Sequence, residues 1–97
     1  MLKEFELWFK DNEERLKNLK IKFNVVRLNT NHEKNAVCAD IETSLNLARV
    51  TIWDSGECDV EALNIQTGKH VFPYRTYTFD SKTELVLVLE ELIKNIC

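Results

Sequence analysis

The stretch VTIWDSGEC, residues 50–58, places Asp54-Ser55-Gly56 at the end of an apolar run. An apolar run closed by Asp-Ser/Thr-Gly is how each half of an aspartic protease presents its catalytic carboxylate. The same three residues also make a three-residue hairpin loop with Gly56 in the left-handed region. The two readings give different folds, and the flanking residues separate them. With the loop at 54–56, Trp53 faces Glu57, and Ala48, Val50 and Ile52 oppose Ala62, Val60 and Cys58, so one face of the hairpin is wholly apolar. On the other face Arg49 opposes Glu61, an opposite-charge cross-strand pair. A protease loop needs two covered carboxylates that share a proton. Here Glu57 follows the glycine directly and adds a second charge to the loop, and no later apolar run ends in Gly-Arg.

Working outward, Thr43–Asn46 as a four-residue loop puts Ile41, Ala39 and Val37 against Ala48, Val50 and Ile52, with Asp40 beside Arg49. Gln66-Thr67-Gly68, read as a second three-residue loop, puts Phe72 against Ala62 and Tyr74 against Val60 on the apolar face, and Asp59 against Arg75 on the other. A slip of one residue would turn these apolar sets toward water, so the hairpins support one another. In the run IKFNVVRL, residues 21–28, the alternation of Ile21, Phe23 and Val25 changes parity at Val26 and Leu28, which suggests a bulge or an edge strand. Pro73 marks the last strand as the other edge.

Helices flank the strands. Phe5, Trp8, Phe9, Leu16 and Leu19 follow a helical period from residue 2 to about 19. Ser81 and Glu84 form a capping box ahead of Leu85, Val88, Leu89, Leu92 and Ile96, with Val86 and Ile93 widening the buried side and Leu87 pointing outward. The expectation is one α+β domain over residues 1–97: a four- to five-stranded antiparallel meander with the N- and C-terminal helices packed on one face. The opposite face then carries Trp53, Glu57 and Tyr77 in one row and Thr51, Asp59 and Arg75 in the next, with Glu61 beyond. Aromatics among dense charge on an open sheet fit a protein-binding surface, and Trp53, Glu57, Asp59, Glu61, Arg75 and Tyr77 are its candidate residues.

Charge narrows the partner. Residues 38–61 hold Asp40, Glu42, Asp54, Glu57, Asp59 and Glu61 against Arg49 alone, within a chain of net charge −3. Such a segment repels phosphate backbones, so nucleic acid is disfavoured and a basic protein is the natural complement. No apolar run approaches the ~20 residues that cross a bilayer, and the N-terminus is unlike a signal peptide, so the expectation is a cytoplasmic protein without a membrane partner. Cys38, Cys58 and Cys97 stand at unrelated spacings that fit reduced thiols, and with His32 and His70 they give no zinc pattern. Cys38 and Cys58 fall on opposite faces of the derived sheet. His70 lies near a turn and His32 in the polar loop NTNHEKN, with nothing to orient either as a base. Two isolated glycines cannot make a phosphate loop. The residues therefore give no catalytic site and call for no cofactor.

Residues 47–71, LARVTIWDSGECDVEALNIQTGKHV, resemble the TriTu family of bacterial immunity proteins, whose members show a similar ARV-T-W-SGE-D-E-L-TG progression between an N-terminal and a C-terminal helix. The resemblance implies a protein that neutralises a cognate TreTu-type toxin by direct binding, the toxin being an ADP-ribosyltransferase domain that modifies elongation factor Tu. The shared positions are turn glycines and core alternation, so no functional residue is carried over. The alternative from another class is a small adaptor or secretion-chaperone-like subunit using the same face or the N-terminal helix. A hydrolase using Asp54 is the third reading.

Overall fold

The structure, a computed structural model, describes residues 1–28 and 35–97. The histidine of the NTNHEKN loop, His32, lies outside the described residues. Helices α1 (Leu2–Asp11) and α2 (Glu13–Asn18) precede five strands, β1 (Lys22–Leu28), β2 (Ala36–Glu42), β3 (Asn46–Trp53), β4 (Glu57–Asn64) and β5 (His70–Thr78), and helix α3 (Lys82–Ile96) closes the chain. The strands form one antiparallel meander in the order β1-β2-β3-β4-β5, as the hairpin readings require. Helices α1 and α3 both pack on the face that carries Val37, Ala39, Ile41, Val50, Ile52, Val60 and Ala62, all essentially buried. Each such aliphatic side chain stabilises the fold by roughly 1.5–3 kcal/mol, less for alanine.

Both inner hairpins have the derived register. Val37, Ala39 and Ile41 pair with Ile52, Val50 and Ala48. Ala48, Val50 and Ile52 pair in turn with Ala62, Val60 and Cys58. Thr43 and Asn46 close the first turn through Thr43 N–H donating to the Asn46 carbonyl at 2.9 Å, and the Thr43 hydroxyl oxygen accepts from Asn46 N–H at 3.0 Å. Gly56 has φ +91°, as the loop reading requires, and it does more than turn the chain. A Cβ placed there would stand 2.6 Å from the Phe79 carbonyl oxygen, and Phe79 N–H donates to the Gly56 carbonyl at 2.9 Å. The hairpin tip is thus fastened to the segment that leads into α3.

Three expectations are corrected. The N-terminal helix is not continuous: Asn12, at φ −102° and ψ 7°, separates α1 from α2, and its side-chain Nδ2 donates to the Trp8 carbonyl at 2.8 Å. A local side-chain bond of this kind competes with the helical ladder. Phe5, Trp8, Phe9 and Leu16 are buried as read, but Leu19 is 47% exposed. The helix has ended by then: Lys20 N–H donates to Lys17 O and Ile21 N–H to Leu16 O, both at 2.9 Å, with Lys20 at φ 60°. This is a Schellman cap, and its apolar closure pairs Ile21 with Leu16, both buried. Strand β1 is an edge of the sheet, one of the two readings its parity change allows, and it carries no bulge. Its pairing runs evenly from Lys22 opposite Glu42 to Leu28 opposite Ala36, so Val26 and Leu28 are exposed on an edge strand's outer face. Arg27, on the helix side, donates to the Glu6 carboxylate of α1 at 3.0 Å.

The third correction falls on β5. Asn64 Oδ1 accepts from the Gln66 and Thr67 N–H groups at 3.0 Å each, and Asn64 N–H donates to Lys69 O at 2.8 Å, so the loop holds four residues rather than three. Leu63 pairs with His70, Ala62 with Phe72 and Val60 with Arg75. Each step of that ladder spends one more residue on β5 than on β4, giving two irregularities on either side of Phe72, the second of which contains Pro73. Proline has no N–H to give the ladder, which is why such breaks gather at edges. Phe72 faces the core as expected, but beyond Pro73 the alternation is inverted.

The C-terminal helix follows its sequence signals. Ser81 Oγ accepts from Glu84 N–H at 3.3 Å, Leu85, Leu89, Leu92, Ile93 and Ile96 are buried, and Leu87 is exposed. Asn46, only 7% exposed, reaches from β3 to donate through Nδ2 to the Ile96 carbonyl at 2.9 Å, satisfying a carbonyl that the helix end leaves open.

Candidate functional site

The sheet face away from the helices presents the odd-numbered residues of β3 and β4 and the even-numbered residues of β2. Ala36 pairs with Trp53, Cys38 with Thr51, Asp40 with Arg49 and Glu42 with Leu47. Thr51 pairs on its other side with Asp59, Arg49 with Glu61 and Leu47 with Leu63. Trp53 and Asp59 are half-buried on this face and lie under no helix.

Of the six candidate residues, four stand here. Trp53 ends β3. Glu57 opens β4 and accepts from the Ser55 hydroxyl at 3.2 Å. Asp59 occupies the middle of the face, between Thr51 and Thr76. Glu61 meets His70 Nε2 at 3.1 Å. Arg49, which the sequence places between two acids, donates to Asp40 at 2.7 Å, and that bond together with the Asp40 charge raises the guanidinium pKa. The pair is exposed, so its contribution to stability is small, about 0–1 kcal/mol. Among the described residues no cation bonds to Asp59.

Arg75 and Tyr77 stand on the other side. The inverted alternation of β5 pairs Arg75 with Val60 and Tyr77 with Cys58, both core residues. Arg75 is held over the Phe72 ring at 5.6 Å, and Tyr77 stacks on Phe79 with ring centroids 5.5 Å apart. The expected pairing of Asp59 with Arg75 does not occur; Thr76 takes that place. The same inversion brings Tyr74, expected in the core, to the outer face, where it is 57% exposed. Desolvation, with the adjacent Asp59 charge, a hydrogen bond to Asp59 and the Glu61 charge, raises its phenol pKa. Tyr74 therefore replaces Tyr77 as the second aromatic of the face. Together with Arg49, Thr51, Asp59, Val60 and Glu61 it lines a notch of about 140 Å³.

Sequence reasoning missed a further set. Leu47 and Leu63 are direct partners on the outer face, and at the end of that ladder Ile65 N–H donates to Leu45 O at 2.8 Å. Leu45, Leu47 and Ile65 are 64%, 47% and 49% exposed. The signal was available, because the register that pairs Arg49 with Glu61 also pairs Leu47 with Leu63 and sets Leu45 opposite Ile65.

These groups offer a partner carboxylate charge, hydrogen bonds and aromatic surface. Asp54 is exposed at a turn, unlike a covered carboxylate pair, and its N–H donates to Asn35 O at 3.0 Å. Among the described residues no three of His, Cys, Asp and Glu are placed to hold a metal ion. The cysteines are free, and Cys38 and Cys58 do lie on opposite faces. Burial, helped by the neighbouring Asp59 charge, pushes the Cys58 thiol up to about 12, which makes it a core group rather than a nucleophile. Among the described residues no helix is long and apolar enough to cross a membrane. Among curated proteins none matches the chain. The family model described as immunity protein TriTu matches residues 3–95, far beyond the 47–71 segment that carries the resemblance, and the chain belongs to that family of immunity proteins.

Proposed function

We propose that this protein binds a cognate toxin, an ADP-ribosyltransferase domain that modifies elongation factor Tu, and neutralises it by direct occlusion inside the cell that makes both. Family membership over nearly the whole chain is the observation that carries this reading. The surface agrees with it in kind. An inhibitor needs a rigid face, charge steering and large anchors, and no reaction of its own. The outer face supplies Trp53, Glu57, Asp59 and Glu61, with Tyr74 in the place expected for Tyr77, and its acidic character complements a basic toxin cleft. Arg75 and Tyr77 leave the proposed surface because they stand on the helix side.

The test is co-expression with the toxin domain encoded beside it, scored for growth rescue and for a one-to-one complex on size exclusion. Rescue with a stable complex is expected; a toxin that kills regardless, and elutes apart from this protein, would refute the reading. Trp53→Ala and Asp59→Ala should weaken the complex while leaving the fold intact, and unchanged affinity in both would remove these two residues from the proposed contact.

A further inference from the structure

We propose that the affinity of the toxin complex resides in the apolar pad of Leu45, Leu47, Leu63 and Ile65 at one end of the outer face, while the acids beside it set the rate of encounter. The proposal rests on the toxin-binding reading and adds to it the place and chemistry of the anchor. Leu47 is flanked by two open depressions of about 330 and 210 Å³, the first lined by Arg49, Glu61 and Leu63, the second by Lys22, Asn24 and Glu42. A projecting apolar side chain of a partner has room on either side of it.

The pad is also held in place before any partner arrives. Thr43 Oγ1 and Asn64 Oδ1 pin the turns on either side, and Asn46, one residue from Leu47, is tied to the end of α3. A preformed apolar surface loses little ordering entropy on association, which is what lets a few side chains dominate binding.

Charge identifies the occupant. Over β1 to β4 the outer face carries Asp40, Glu42, Glu57, Asp59 and Glu61 against Lys22 and Arg49, and Arg49 is engaged by Asp40. A second copy docked through the same face about a two-fold axis would set acids against acids, so self-association is opposed. The complement is a different protein that presents apolar side chains ringed by lysine and arginine: the toxin domain.

Surface plasmon resonance against a catalytically inactive form of the neighbouring toxin domain separates the two contributions. Leu47→Ser with Leu63→Ser should weaken binding about 100-fold, nearly all of it in the dissociation rate, and equally at about 50 and about 500 mM NaCl. Leu45→Ser with Ile65→Ser, in the turns, should give about tenfold in the same rate. Asp59→Asn with Glu61→Gln should instead slow association, an effect that fades at high salt. Thermal melting identifies variants that stay folded, and either apolar pair suffices. If the wild type binds and a folded apolar variant stays within about threefold of it, the pad is overturned and the toxin-binding reading stands. If the wild type does not bind, the earlier reading fails. A wild-type dimer in sedimentation that Leu47→Ser with Leu63→Ser dissolves would make a second copy the occupant and overturn the assignment.

Discussion

Replacing Gly56 by alanine is expected to destabilise the protein far more than the same change at Gly68, although both glycines sit in turns at positive φ. At φ +91° an L-residue at position 56 loses about 1–2 kcal/mol from backbone strain alone. Its Cβ would also stand 2.6 Å from the Phe79 carbonyl oxygen, a backbone atom that can yield only by moving the chain. That movement breaks the 2.9 Å bond from Phe79 N–H to Gly56 O, a further ~0.5–1.5 kcal/mol. It also disturbs the stacking of Tyr77 on buried Phe79, about 0.5–1 kcal/mol. The sum is roughly 2–4.5 kcal/mol, a large share of the ~5–15 kcal/mol that holds a domain together. Gly68 has φ +70° and no heavy atom within 4 Å of the Cβ position, so only the strain remains there, about 1–2 kcal/mol. At ~4–8 °C per kcal/mol for a chain of this length, Gly56→Ala should lower Tm by about 10–30 °C and Gly68→Ala by about 5–15 °C. Urea titrations followed by far-ultraviolet circular dichroism give both free energies on one scale. Equal losses in the two variants would mean that Phe79 does not close on Gly56, and the attachment of the hairpin tip to the approach of α3 would be wrong.

Lys20→Gly should stabilise the protein by about 0.5–1 kcal/mol, because Lys20 holds the φ 60° position of the Schellman cap that glycine adopts without strain; an unchanged urea midpoint would count against that cap. Asn46→Asp replaces the donor to Ile96 O with a carboxylate at the negative end of α3 and should cost about 2–3 kcal/mol at neutral pH. The folded state would raise that carboxyl's pKa, so the loss should shrink as pH falls and the group protonates; a pH-independent deficit in urea titrations from pH 7 to about 4 contradicts this arrangement. For Cys58 the folded pKa of about 12 lies above the ordinary thiol range, so the unfolded chain releases its proton first and stability falls as pH rises from that range towards 12. Cys58→Ala should therefore show a shallower loss of stability between about pH 9 and 11 than the wild type, as read from the two urea midpoints.

The meander was legible wherever two independent signals met on one residue. Val50 had to face inward from both of its neighbours, Ala39 and Val60, and Arg49 had acids on both sides, so a register error in either hairpin would have contradicted the other. Strand β5 has one neighbour only, and nothing beyond it checks its register. The alternation of Phe72, Tyr74 and Thr76 reads as well as that of Phe72, Arg75 and Tyr77 once a residue is added, and only Pro73 hinted at the addition. The end of α2 was hidden for a related reason: Leu19 keeps the helical period, but the capping turn at Lys20 is a backbone event that a lysine does not advertise.

The candidate site was half legible for a reason that bears on where its affinity lies. A search for anchors guided by composition selects Trp and Tyr among charges, because those residues are unusual on a solvated sheet. Leucine in a strand is instead assigned to the core by default, so Leu47 and Leu63 pass unnoticed even though the register already fixes them on the outer face. The default fails here because the inner positions of β3 and β4 are filled by Ala48, Val50, Ile52, Cys58, Val60 and Ala62 without them. A sheet that has satisfied its core and still spends leucines on the far face exposes apolar surface that water does not favour. Among the described residues nothing covers that exposure, whereas a partner would, and on this ground the pad, more than the acids that surround it, is expected to hold the complex together.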